Sequence, residues 1–285
     1  MNNKFIKFNK NFFNNFLLVS SSILKNFRTY VYLFFIPIFF LCVFTWFTGG
    51  MNANYKPTKL FLFMMIPTYS IVFLVNISIS EWKNSVFLKR VHSAGVSKME
   101  FLLSIWAFNF LAGIIAFLVG FFTIEILGLL YVKPIDESIA TSFALISFSE
   151  WLGILYAISL NILISIAIGT IISGLIKSIA LSQSLTIIII ILCIVFSDNL
   201  LPIDLMSINK GVVIFSYLFP QKHSVWVGLI SSSAKNLSWI IENSDRKIVS
   251  FNYNLTLVSL TGLLYTSALL TGAYFSFNWN NKNVV

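Results

Sequence analysis

Six apolar runs of about twenty residues each recur along this chain of 285 residues, at Tyr30–Thr48, Leu60–Ser80, Phe101–Phe122, Trp151–Ser173, Ile179–Ser197 and Asn254–Phe277. As an α-helix rising about 1.5 Å per residue, each is long enough to cross ~30 Å of hydrocarbon. Backbone amides in lipid must be satisfied within the segment that carries them, so the runs predict helices. The expected fold is therefore all-α, a polytopic membrane protein with six transmembrane helices forming a single domain over residues 1–285. Only 10% of the residues are charged and 58% are hydrophobic, where soluble domains carry about 25% charged residues. A soluble globular chain, a disordered one and a collagen-like one are all excluded by those proportions.

Six spans return the chain to the side from which it started, and the connecting segments then separate into two sets. One set holds eleven Lys and Arg (Lys4, Lys7, Lys10, Lys25, Arg28, Lys83, Lys89, Arg90, Lys98, Lys177 and Lys282) against Glu81 and Glu100; the other balances eight bases with eight acids. Short loops rich in Lys and Arg are retained in the cytosol. Both termini and the 81–100 connection are thus expected there, in a protein of the plasma membrane. The net charge of +9 is explained by topology, so the lipid bilayer is the expected partner and nucleic acid is not. Within residues 1–28, Phe5, Phe8, Phe12, Phe16, Val19, Ile23 and Phe27 recur at steps of three and four. That spacing makes one apolar stripe opposite Lys and Asn, the pattern of a cytosolic helix lying in the membrane interface.

Two connections are more than spacers. Residues 81–98 mix apolar and basic side chains at helical spacing up to Gly95, which reads as a short helix with a glycine cap. Ser97 then precedes Glu100 by three residues, a capping box for the third span. Residues 198–250, on the outer side, contain the apolar stretches Gly211–Phe219 and Val225–Ile230, punctuated by Pro202 and Pro220. Nine helical residues rise only ~14 Å, so these predict short external re-entrant helices rather than further spans.

Signs of catalysis are sparse. Cys42 and Cys193 lie within apolar runs and read as small buried hydrophobes, and His92 and His223 fall on opposite sides of the membrane, so no metal site is expected. The run Gly169-Thr170-Ile171-Ile172-Ser173-Gly174 continues with Leu175-Ile176 where a phosphate-binding loop needs Lys and Ser or Thr. The chain is expected to be no enzyme by itself. Glu125 is the one acid considered for ion coupling, but it lies ~36 Å beyond Phe101, at or past the outer interface. Asn109 and Asn161 reach mid-membrane depth, where they can touch a substrate or hydrogen-bond between helices. Small residues line one face of the third span (Ala112, Ala116, Gly120), of the fourth (Ser165, Gly169, Ser173) and of the sixth (Ala268, Gly272, Ser276), which permits close helix packing.

Taken together, the interfacial helix, a first span bearing Pro37, a second span ending in Glu81, the series Phe87-Leu88-Lys89-Arg90 and Ala94-Gly95-Val96-Ser97, and the segment Leu218-Phe219-Pro220 followed by Val225-Trp226-Val227-Gly228-Leu229 resemble the type-2 permeases of ABC transporters. Gly95 stands where proline is frequent in that family. The resemblance implies an exporter subunit for a hydrophobic or amphipathic substrate such as a drug, lipid, peptide or glycan. It further implies a second permease chain and separate cytosolic ATP-binding-cassette subunits, which hold ATP and Mg while this chain binds no cofactor of its own. Glu81, Val86, Phe87, Leu88, Lys89, Arg90 and Gly95 would form the ATPase-coupling segment, and Pro202, Phe219, Pro220 and Trp226 the external gate. The alternatives are an ion-gradient-driven secondary carrier, which needs a charged site at mid-membrane depth, and a membrane protein with no transport role.

Overall fold

The computed structural model describes residues 2–47, 56–130, 144, 146–201, 203–234, 236–237, 240 and 248–278. Pro202, residues 48–55 and residues 131–143 lie outside the described residues. Among the described residues every regular element is helical. Six helices are long and apolar enough to cross a membrane, which makes this a multi-pass membrane protein: α2 (Phe27–Trp46), α3 (Pro57–Lys83), α5 (Lys98–Leu130), α6 (Phe148–Leu175), α7 (Ile179–Phe196) and α11 (Leu255–Ser276). They coincide with the six apolar runs of the sequence to within a few residues, except that α5 continues to Leu130. Around them lie α1 (Asn2–Leu24), α4 (Phe87–Ser93), α8 (Ile203–Met206), α9 (Lys210–Ser216) and α10 (Pro220–Ser232).

The spans do not share the burial equally. α3 and α6 form the centre, whereas α2, α7 and α11 leave most of their apolar side chains uncovered by protein. Lipid tails are as apolar as leucine, so association between spans rests on close fit instead of water exclusion. Glycines supply that fit. A Cβ on Gly228 would enter the Phe61 ring, and one on Gly169 would lie 2.7 Å from the Val72 carbonyl oxygen. The small faces of α5 and α6 are buried as their spacing predicts, with Ala112, Ala116, Ser165 and Ser173 at 2% exposure or less. For α11 the expected face is rotated: Ala268 is exposed, and Val258, Gly262, Thr266 and Ala273 form the buried line.

One end of the bundle gathers the start of α2, the end of α3, the start of α5, the end of α6 and the start of α7, and it carries the basic residues. We call it the basic end and its opposite the far end. α1 packs along the first turns of α5, with the Phe16 and Phe108 rings 6.4 Å apart and the Trp82 indole donating to Ser22 at 3.1 Å. Of the described stripe residues, Phe16, Val19 and Ile23 meet protein and Phe12 is half-buried, but Phe27 is 78% exposed, and Phe13, Leu17 and Leu18 form a second apolar face that remains uncovered. This differs from a helix floating free in the interface, because α5 supplies an apolar surface that sequence alone could not reveal.

Between α7 and α11 the chain does not stay outside the bundle. Pro220 starts α10 at its first turn, where a missing amide hydrogen costs nothing. Residues Gln221–Ser232 are all buried, packed among α3, α6 and α11. Ser224 donates to Asn161 at 3.0 Å, and Asn161 donates to Thr68 at 2.6 Å. Asn161 lies ~20 Å along α6 from its far-end start, while Ser231 sits beside Gly153 near that start. α10 thus begins deep in the bundle and runs outward, antiparallel to α6.

Candidate functional sites

At the basic end, α4 is pinned by one face and free on the other. Leu88 and Val91 are buried, and Phe87 stacks on Trp82 with ring centroids 5.1 Å apart and leans on Phe101 at 6.4 Å. Trp82 belongs to the end of α3 and Phe101 to the start of α5, so α4 is fastened to both flanking spans. Val86, Lys89 and Arg90 point away from the body. Gly95, at φ +78°, makes the left-handed turn that ends the helix. The expected capping box is present: the Ser97 amide donates to Glu100 Oε2 at 3.1 Å and the Glu100 amide to Ser97 Oγ at 3.3 Å. Of the seven residues expected in the coupling segment, Leu88 is turned inward, its side chain filling the gap beneath the helix. Glu81 is committed to its own chain, ion-paired with Arg28 and accepting from Asn26 at 3.2 Å. Lys83 ends α3 by donating to the carbonyls of Ser173 (2.7 Å), Gly174 (2.9 Å) and Ile176 (3.3 Å), capping α6.

The second site was not expected. Asp198 and Lys222, which charge counting assigns to a solvated outer segment, are each 1% exposed and form an ion pair inside the bundle. The Trp226 indole donates to the same carboxylate oxygen at 2.6 Å, and the Lys222 ammonium lies 5.6 Å from the Trp226 ring and 5.9 Å from the Tyr217 ring. The expectation that Glu125 is the one acid to consider within the membrane is therefore corrected. Asp198 follows α7 in a left-handed backbone conformation, φ 63°, which turns its carboxylate back toward α10. The His223 ring faces Thr261 Oγ1 at 3.0 Å and the Tyr217 carbonyl at 3.3 Å.

Around this pair several polar atoms lack partners among the described residues: Asp198 Oδ1 and both side-chain amide atoms of Asn199 and of Gln221. A buried polar atom left unmet costs about 1–3 kcal/mol, so the closed arrangement is costly as well as tight. The expected gate residues divide. Trp226 is core, whereas Phe219 stacks on Phe196 with centroids 4.9 Å apart, and Pro220 opens α10. Asn161 serves as an interhelical bond. Asn109 donates within its own helix, to the Ile105 carbonyl at 2.8 Å, and its Oδ1 has no partner among the described residues.

Beside the pair an apolar groove of about 400 Å³ separates α7 from α11 over the face of α6. Ile168 and Ile172 floor it, Leu192 and Cys193 form one wall, Leu269 forms the other, and Phe219 closes its far end. The fold and these sites define a multi-pass helical membrane protein with an exposed basic handle at one end and a buried charge pair toward the other. No protein-family model and no curated protein matches the chain, so its functional reading rests on this geometry.

Proposed function

We propose that the protein is the membrane-spanning permease subunit of an ATP-driven exporter for a hydrophobic or amphipathic substrate. Its basic end and both termini face the cytosol, and α8 to α10 form the outer, re-entrant gate region. Separate ATP-binding-cassette subunits bind ATP and Mg and dock on α4, and a second permease chain completes the path. The observation that carries this reading is the construction of α4: a helix stapled to the ends of two spans through Leu88, Val91 and Phe87, with Val86, Lys89 and Arg90 left outward. A handle fixed to two spans converts movement of a docked subunit into movement of helices. Lys25, Arg28 and Lys177 are also exposed at this end, which suits retention on the cytosolic side and an acidic rim on a docking partner.

The test is co-purification with a candidate ATPase, followed by vanadate-sensitive turnover in proteoliposomes. The double charge reversal Lys89→Glu and Arg90→Glu is expected to release the ATPase or uncouple its turnover, and an unaltered complex with unaltered transport overturns the proposal. The buried Asp198–Lys222 pair favours a second reading, an ion-gradient-driven carrier, because intramembrane charges often mark ion paths. That reading requires uptake by the purified chain alone under a proton or sodium gradient.

A further inference from the structure

We propose that Asp198 and Lys222 form a releasable latch, which fastens the far end of α7 to the first turn of α10 and closes the groove beside Cys193. The latch does not depend on what energises the protein, so it stands apart from the permease reading. Along most of its length α7 is loosely held. Its buried residues are Ser182, Thr186, Ile190 and Cys193, a line one residue wide. Near the basic end Asn76 donates to Ser182 at 2.7 Å; at the far end Tyr69 meets Ser197 at 3.2 Å, and Asp198 meets Lys222 and Trp226. Between those ties the groove intervenes between α7 and α11. The far end of α7 is therefore positioned by the polar contacts at residues 197 and 198 together with Phe196, whose ring lies 4.9 Å from Phe219 and 5.1 Å from Phe215.

The chemistry of those contacts suits release better than permanent fixing. A buried ion pair gains little over apolar residues of the same shape, because desolvation of both charges offsets their attraction. Here the offset is larger than usual, since Asp198 Oδ1 and the side-chain amides of Asn199 and Gln221 are left without partners among the described residues. Parting the helices by a few ångströms would admit water to all of these groups and to both charges, so the open arrangement recovers much of what breaking the pair loses. Two arrangements of comparable free energy are what a switch requires.

Cys193 is a built-in reporter, being 2% exposed, in the groove wall and five residues before Asp198. In the full-length chain reconstituted in nanodiscs, Cys42→Ala leaves it as the only thiol. N-ethylmaleimide labelling is then timed in that parent, in Asp198→Asn, and in the paired neutral variant Asp198→Leu with Lys222→Met, with helical content followed by circular dichroism. Both variants are expected to remain helical; Asp198→Asn, which strands Lys222, is expected to label at least tenfold faster than the parent, and the apolar pair no faster than the parent, because it joins the helices without charges that water can release. A folded Asp198→Asn that labels as slowly as the parent, or a folded apolar pair that labels tenfold faster, overturns the latch. Loss of helical content in both variants also overturns it, since the pair would then be a plain structural tie.

Discussion

Arg28 and Glu81 meet in the open, with side chains 58% and 33% exposed, whereas Lys222 and Asp198 meet at 1% exposure each. The chemical groups are nearly the same, yet their energetics differ in kind. At the basic end solvent screens the attraction, and either partner can return to water when the other leaves. Inside the closed bundle neither can, so the loss of one strands the other unless the helices part. What the contrast teaches is that the distance between an ammonium and a carboxylate says little about the pair's worth; the environment into which each would be released decides it.

The sharpest test of that contrast is Lys222→Met, which leaves the Asp198 carboxylate buried and alone. It is expected to cost about 3–5 kcal/mol of stability, read by unfolding titration in mixed micelles, and a cost below that of Glu81→Gln would break the comparison. Trp226→Phe keeps an aromatic ring but removes the indole N–H 2.6 Å from Asp198 and the buried atoms around it; a loss of at least about 1.5–3 kcal/mol is expected in the same titration. Gly228→Ala probes apolar packing near the pair, because the new methyl meets the Phe61 ring, and about 1–3 kcal/mol is expected from overpacking. At the other end, Glu81→Gln should cost about 1 kcal/mol or less. That small effect should shrink further in high salt, as screening of an exposed pair demands, while the effect of Lys222→Met should hardly change with salt.

Much of the frame is legible in the sequence because hydropathy over twenty residues is a strong signal: all six spans are found in place. The Ser97–Glu100 box and Gly95 are legible too, since capping chemistry is local and depends on residues three apart. The buried pair is not legible. Charges in a stretch between two spans are assigned to solvent by default, and nothing in a single sequence links residue 198 to residue 222. The available hint was the apolar run Val225–Ile230 directly after Lys222 and His223, which places a base beside a segment that has to be covered. The rotated face of α11 was missed for a different reason: small residues at steps of four also occur along its opposite side, and spacing alone does not choose between them.

The three carbonyls gripped by Lys83 carry a mechanical consequence. Lys83 closes α3, lies four residues before α4, and holds the last turn of α6. Any displacement of α4 is thereby handed to three columns at once: to α3 through Trp82, to α5 through Phe101, and by way of Lys83 to the end of α6.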